Sequence, residues 1–177
     1  MATSRQRRRG SPLMRRVAVL AMLLALPILV QAGPATAAVS CHPINAKGAG
    51  QGAPSQAGDP PGLIRTAAQI RGGGLLQGTT TAAFQVTGST PTGIAFAGDI
   101  TFTTNRATLT VALVGTLDVT TGDFGASGDV SGATGKLDGA TGTLTLAGVQ
   151  DLLDPAGSFT ETVSGEICAD LHGNGGR

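Results

Sequence analysis

Hydrophobic and polar residues alternate along two segments in the middle of the chain. In the first segment the large apolar residues share one parity, and small or polar residues take the other; the apolar set is Ile94, Phe96, Ile100 and Phe102. The second segment repeats this pattern against threonines, with the apolar set Leu109, Val111, Leu113, Leu117 and Val119. Because successive side chains of a β-strand point to opposite faces, each segment predicts a strand with one apolar and one threonine-rich face.

The rest of the chain beyond residue 62 is also rich in β-branched residues, and glycines recur between the apolar runs. Further strands are predicted at about residues 64–71, 75–87, 123–130, 133–138, 141–149 and 157–168, which gives eight strands and no helix. Glycines within strands, such as Gly98, Gly115 and Gly165, suit bends or bulges of a curved sheet. Closing the sheet would remove its exposed edges. The predicted fold is therefore all-β, an eight-stranded antiparallel, calycin-like barrel over residues 63–170, with a two-sheet β-sandwich as the alternative.

The first 37 residues have the organisation of a secretory signal peptide. A basic stretch through Arg16 precedes the apolar run 17–30, and small residues follow, with an A-x-A pattern that ends at Ala37. As a helix the apolar run would be about 21 Å long, whereas the hydrocarbon core of a membrane is roughly 30 Å thick. We therefore expect cleavage near Ala37 and a secreted, extracellular protein with no stable membrane anchor after processing.

The segment 38–62 differs in composition from the residues that follow it. It is rich in Gly, Pro, Ala and Gln, and Ile44 is its only large apolar residue apart from Val39. A segment of this kind buries little apolar surface to offset the entropy lost on ordering, so it predicts a flexible linker. Residues 171–177 are expected to form a C-terminal tail.

Two cysteines, Cys41 and Cys168, lie near the two ends of the predicted mature chain. In an oxidising compartment such a pair favours a disulfide, which would contribute about 4 to 5 kcal/mol in the chain-entropy model for so long a loop. A metal site would need more His or Cys at ligand spacing than His42 and His172 supply. We predict the disulfide, and neither a metal nor a cofactor.

Charge and aromatic content exclude one broad class of partner. Six of the twelve basic residues lie among the first sixteen residues, so the other six face eleven acidic residues over the rest of the chain, and the chain has no Trp or Tyr. Nucleic-acid binding is disfavoured, because no basic patch remains to neutralise phosphates and few aromatic rings are available to stack on bases.

A glycine-rich motif runs from Gly132 to Gly142 and contains the unit Gly-Ala-Thr-Gly twice. It has no Gly-Lys-Ser/Thr ending and leads into a strand, whereas a phosphate-binding loop opens a helix. Glycines that permit a tight turn are the simpler explanation of the motif.

This motif, between a threonine-rich meander and a terminal strand, resembles that of the allene oxide cyclase and dirigent β-barrel superfamily, especially its small secreted actinobacterial members. The resemblance covers about residues 72–168. It implies an eight-stranded barrel with a central apolar cavity that binds or cyclises small hydrophobic molecules, often assembled as dimers or trimers. The chain departs from the pattern at Leu137, where an aromatic residue is usual, and no residue here matches the catalytic carboxylates or arginines of the family.

One acidic residue stands apart from the others. In the last predicted strand Glu161 shares the parity of Phe159, Val163 and Ile167, which directs it to the barrel interior unless a bulge returns it to water. A buried carboxyl group has a raised pKa and can act as a general acid or bind a polar ligand group. Glu161 is thus the one weak catalytic candidate. The candidate cavity-lining residues are Phe96, Phe102, Phe159 and Glu161.

The sequence supports two functions of different class. The first is a non-enzymatic secreted barrel that binds a small hydrophobic ligand or acts at the cell envelope. The alternative, carried by the resemblance, is a cyclase or isomerase that folds a flexible apolar substrate in its cavity. No nucleophile, base and orienting acid can be assembled in the folded region, so the non-enzymatic function is favoured.

Overall fold

A computed structural model describes residues 39–72 and 74–171. The predicted signal peptide (1–37) and residues 172–177 of the predicted C-terminal tail, His172 among them, lie outside the described residues. The described chain is all-β apart from one short 3-10 helix, Gly74–Leu76. Its strands are β1 Ser40–Ala53, β2 Leu63–Arg71, β3 Gly78–Ser89, β4 Gly93–Thr103, β5 Ala107–Asp118, β6 Asp123–Gly135, β7 Thr141–Gln150 and β8 Phe159–Ala169.

The eight strands form one closed antiparallel barrel, in which each strand pairs with its neighbours in sequence and β1 pairs with β8. The barrel prediction is confirmed, and the alternative sandwich is not formed. The Cys41–Cys168 disulfide is confirmed as well. The two cysteines are paired in the register of β1 and β8, at positions that point away from the interior, so the disulfide joins the strands that close the barrel.

The predicted flexible linker is wrong for residues 40–53, which form β1, the longest strand. Its inward positions carry Ile44 and Ala46, followed by Gly48, Gly50 and Gly52. This segment has few large apolar residues because large side chains of β8 fill the space that its glycines leave: a Cβ atom on Gly50 would lie 2.6 Å from Cζ of Phe159. The strand is thus stabilised by the burial of its partner's side chains, a contribution that its own composition does not reveal.

The predicted strands 123–130 and 133–138 form a single strand, β6. The register with β5 shifts after Val130, so Ser131 is an extra residue, and Ala133 takes over the inward position from the other parity. This β-bulge made one strand look like two. Eight strands were predicted correctly only because this division compensated for the missed β1. Gly98 and Gly115, expected at bulges, lie instead in continuous ladders.

One end of the barrel is closed by packed side chains, and we call it the packed end. Leu76 of the 3-10 helix and Leu137 of the β6–β7 turn both lie there and are fully or almost fully buried. They cover a core that includes Ile70, Phe102, Leu109, Val111, Leu144, Val163 and Ile167. Leu171, from the predicted tail, packs against the same core.

The glycine-rich motif builds the β6–β7 turn at the packed end. Gly135 and Gly139 have φ angles of 65° and 73°, a conformation that residues with a side chain rarely adopt, and Leu137 between them points into the core. The motif therefore forms a tight turn, as expected, and this turn places the Leu137 side chain in the core.

Candidate functional site

The opposite end of the barrel, which we call the mouth, contains a cavity of about 230 Å³. All eight strands contribute residues to its lining. The lining is mostly apolar, and its residues include Ile64, Phe84, Ile94, Phe96, Ile100, Leu113, Leu117, Phe124, Leu146, Phe159 and Glu161. A cavity of roughly 150 Å³ accommodates benzene in an engineered protein core, so this one has room for a larger organic molecule.

Four phenylalanines line this cavity as two ring pairs. The ring centroids of Phe84 and Phe96 are 5.0 Å apart with a tilted geometry, and those of Phe124 and Phe159 are 5.9 Å apart, edge to face. Both arrangements are favourable for aromatic rings. The lining is therefore held in place by contacts among its own members.

Each of these phenylalanines is paired across the sheet with a glycine. The pairs are Phe84–Gly98, Phe96–Gly115, Phe124–Gly148 and Phe159–Gly50. Added Cβ atoms on Gly115 and Gly148 would lie only 2.7 and 2.5 Å from Cζ of Phe96 and Phe124. The rings of Phe96, Phe124 and Phe159 therefore lie over strand backbone, where a side chain in place of the paired glycine would collide with them.

Glu161 extends into the same cavity from β8. It is 7% exposed and is paired with Gly48 on β1 and Gly148 on β7, so no side chain flanks it on either neighbouring strand. A Cβ atom on Gly48 would lie 2.5 Å from both Cγ and Oε1 of Glu161. No register shift occurs in the pairing of β8 with either neighbour, and the alternation that directs Glu161 inward is retained.

The Glu161 carboxyl group lacks a protein partner. Its Oε1 atom is buried and accepts or donates no hydrogen bond within the described residues. Burial raises the pKa of this carboxyl from 4.5 to about 7, because the charged form loses the solvation that water would provide. A partly neutral acid inside an apolar cavity can donate one hydrogen bond or transfer one proton to a bound molecule.

The other polar residues of the lining are neutral. Thr66, Thr80 and Gln150 contribute two hydroxyl groups and an amide, and Glu161 is the only ionisable residue among those that border the cavity. The most buried members of the lining are Thr80, Ile100, Leu113, Leu146 and Glu161, which together form its floor. The carboxyl group therefore lies at the inner end of the cavity, away from the mouth.

Three of the four candidate cavity residues occupy the expected site. Phe96, Phe159 and Glu161 border the cavity, but Phe102 does not. Phe102 points inward as predicted, yet it lies further along β4 toward the packed end and is completely buried in the core. Alternation determines the face of a strand on which a residue lies, but it cannot determine how deep in the barrel that residue sits.

The sequence reasoning missed Phe84 and Phe124 as lining residues. Both lie within predicted strands, and their parity was available as a signal. Their ring contacts with Phe96 and Phe159 depend on strand register and on the closure of the barrel, which parity does not reveal. Gly48, which makes room for Glu161, was hidden in the predicted linker.

Three loops at the mouth are organised by carboxylates. Asp59 accepts hydrogen bonds from the Gln56 backbone N–H and from Arg65, with which it forms an ion pair. The hydrogen bond from Arg65 lowers the pKa of Asp59 to about 2. Asp118 accepts from the backbone N–H groups of Thr120 and Thr121, and its pKa is lowered mainly by the Thr120 hydroxyl.

Asp154 organises the third of these loops, which connects β7 with β8. It accepts hydrogen bonds from the backbone N–H groups of Ala156 and Ser158, and the pKa of Asp154 is lowered. The remaining connection at the mouth is the short β3–β4 turn, where Thr92 is hydrogen-bonded to Asp118. These hydrogen bonds fix the loop backbone without any ligand. The border of the cavity is thus largely preformed.

Cys41, Glu166 and Cys168 bring three potential metal-ligand atoms within 4.8 Å of one another. The two sulfur atoms are joined in the disulfide, and it is the free thiolate that binds metals. In this oxidised form only the Glu166 carboxylate could act as a ligand.

Comparisons with known proteins found no matching family model, no similar curated protein and no similar solved structure. A search for membrane-spanning helices over the described residues identified none long and apolar enough. The architecture and the cavity are therefore the observations from which a function can be argued.

Proposed function

We propose that this protein is a secreted, non-enzymatic barrel that binds a small hydrophobic molecule in the mouth cavity. The observation that carries the proposal is the contrast between the ends of one barrel. A small barrel of eight strands can fill its interior with side chains, and this one does so at the packed end. At the mouth, about 230 Å³ stays unfilled and is bordered by apolar surface.

Ligand pockets in proteins have this composition. They are concave, mostly apolar, and carry a few polar groups that orient the ligand. The mouth cavity combines phenylalanine and aliphatic walls with one carboxyl group at its floor. Preformed loops reduce the entropy that binding would otherwise cost.

Export is part of the same proposal. The first 37 residues resemble a signal peptide, and disulfides persist mainly in oxidising compartments. Expression with the leader should yield, in the culture medium, a protein whose intact mass corresponds to residues 38–177 with the disulfide formed. Recovery of only the full-length, cell-associated chain would contradict export.

Native mass spectrometry of protein purified from its producing cells tests ligand binding directly. We expect an adduct of a small organic molecule that is removed by denaturation. Ala126→Leu should abolish the adduct because Ala126 borders the cavity, whereas Ala147→Leu on the neighbouring strand, at an outward-facing position, should retain it. Equal adducts in both variants, with unchanged melting curves, would contradict binding at this site. The same spectra give the subunit number, which the family resemblance suggests is two or three.

An allene oxide cyclase-like cyclase or isomerase is the second candidate, supported by the unpartnered Glu161 carboxyl group with its raised pKa. An isomerase returns a product of the same elemental composition as its substrate. The molecule recovered from wild-type protein would then differ in chromatographic retention, but not in mass, from that recovered from Glu161→Gln. Identical molecules from both proteins would favour the non-enzymatic function.

A further inference from the structure

Among the described residues, the cavity of the proposed function has a single ionisable group, placed at its inner end with one oxygen unpartnered. On this basis, which rests on the proposed function, we infer that the ligand is an electrically neutral molecule with a hydrogen-bond acceptor, such as a carbonyl oxygen, at its buried end. That oxygen accepts a hydrogen bond from the protonated carboxyl group of Glu161.

The barrel itself leaves the carboxyl group without a hydrogen-bonding partner. Gly48 and Gly148, on the two strands beside Glu161, supply no side chain, and their backbone groups lie within the ladders of β1 and β7. The Oε1 atom of Glu161 has no hydrogen bond within the described residues and is not accessible to solvent, although Glu161 as a residue borders the cavity. A buried polar atom without a partner costs about 1 to 3 kcal/mol, and a ligand acceptor reached by a small side-chain rotation would remove that cost.

The surroundings favour a neutral ligand over a charged one. On β1 the nearest charged residue in register, Lys47, points outward, and β7 contains no ionisable residue. On β8 itself Glu166 also points outward. An anionic ligand would meet no cation among the described residues that line the cavity. A ligand ammonium group would bring three donors to a site where the carboxylate is the only charged acceptor, so much of its solvation would be lost.

A neutral hydrogen-bond acceptor on the ligand is satisfied by one hydrogen bond from Glu161. Protonated Glu161 has a single O–H donor, and a ketone, ester or ether oxygen needs a single donor. Ionisation of Glu161 removes the donor and places an electron-rich oxygen against the ligand oxygen. The structure therefore couples ligand retention to the protonation of one group, with tighter binding in acid than in alkali.

Three probes with one carbon skeleton test this inference by titration calorimetry on the disulfide-bonded mature protein. Propiophenone carries a carbonyl group, n-propylbenzene has no polar group, and α-ethylbenzylamine is a cation at the working pH. The quantity of interest is the ratio of the propylbenzene Kd to the propiophenone Kd at about pH 5, where Glu161 is protonated. Taking a ratio cancels the apolar contribution that both probes share.

The wild-type ratio should fall about fivefold in Glu161→Leu, since a net hydrogen bond of ordinary strength is lost. Glu161→Gln is the matched control, because its amide donates one hydrogen bond without titrating. This variant should keep the ratio of the wild type, and its affinity for propiophenone should not change between about pH 5 and pH 9, whereas that of the wild type should fall.

Two results would overturn the inference while leaving the proposed function intact. One is an unchanged ratio in Glu161→Leu although both probes bind. The other is tighter binding of α-ethylbenzylamine than of propiophenone to the wild type. If no probe binds to the wild type or to Glu161→Leu, and both have cooperative melting curves, the proposed function itself fails, and the inference fails with it.

Discussion

The two ends of this barrel are built from the same eight strands with the same inward–outward alternation, yet one end is solid and the other is hollow. At the packed end, inward positions carry large aliphatic residues such as Leu109, Leu144 and Ile167, and Leu76 and Leu137 close the barrel from its turns. At the mouth, large side chains alternate across the strands with glycines. Large residues pair with glycines at the packed end as well, as Leu144 does with Gly165. The comparison teaches that the side chains supplied by the turns, and not the alternation within the strands, decide which end of this barrel is filled.

The strongest test of the comparison removes the disulfide from the packed end of the β1–β8 pair. Replacing both Cys41 and Cys168 with Ser opens a link between residues 127 positions apart in sequence, and we expect a loss of about 5 kcal/mol in the chain-entropy model. Denaturant unfolding measures the loss. The wild type under reducing conditions serves as control and should unfold like the double variant; an unchanged transition midpoint would show that the other strand pairs alone hold the barrel closed.

Leucine truncation compares the two ends directly. Leu144→Ala at the packed end should cost about 2 to 5 kcal/mol, because its fully buried side chain leaves a new cavity. Leu117→Ala at the mouth should cost only about 1 kcal/mol, since Leu117 already borders open space. Thermal and denaturant unfolding give both values, and equal losses would mean that the mouth is as tightly packed as the core.

The pH dependence of stability tests the buried carboxyl group. The pKa of Glu161 is raised by burial to about 7 in the folded protein, from 4.5. Between these values the unfolded chain releases its proton while the folded chain retains it, so the stability contributed by the neutral group is lost as pH rises. Relative to Glu161→Gln, the wild type should lose about 3 kcal/mol between about pH 4.5 and pH 7 and no more above that range.

The difference between wild type and Glu161→Gln isolates this one group, because all other carboxylates are common to the two proteins. Asp59, Asp118 and Asp154 have lowered pKa values and act in the opposite direction at lower pH. Parallel stability curves for the two proteins from acid to neutral pH would mean that the Glu161 side chain is hydrated.

A glycine substitution gives a small expected effect and the most local one. A Cβ atom on Gly148 would lie 2.5 Å from Cζ of Phe124 and would also meet the carbonyl group of Thr160. Gly148→Ala should therefore cost about 1 to 3 kcal/mol and displace the Phe124 ring. Gly132→Ala is the control, since its nearest neighbour would be Cβ of Thr110 at 3.9 Å, and it should change stability by less than about 0.5 kcal/mol.

Aromatic chemical shifts in NMR spectra would report the ring displacement. A Gly148→Ala protein with the stability and the phenylalanine shifts of the wild type would show that the paired glycines are not required for the cavity wall.

Much of the fold was predictable, because alternation is a local property of the chain. The apolar parity of residues 94–102 and 109–117, the threonine-rich outer face and the disulfide between the chain's two cysteines all followed from residue types and their order. The strand β1 did not, because Gly48, Gly50 and Gly52 have no side chains that could signal a buried face. Their role appears only beside Phe159 and Glu161, which are more than a hundred residues away in sequence.

The sequence by itself determined the fold class of the protein, a β-ribbon with one apolar face, and placed an acid at an inward-pointing position of the last strand. Only the tertiary structure decided that Phe102 lies in the core while Phe96 borders a cavity, and that Oε1 of Glu161 has no hydrogen-bond partner among the described residues. Register and barrel closure determine how deep a residue lies in the barrel and which residues it is paired with on the neighbouring strands. Both are set by contacts between residues that are distant in sequence.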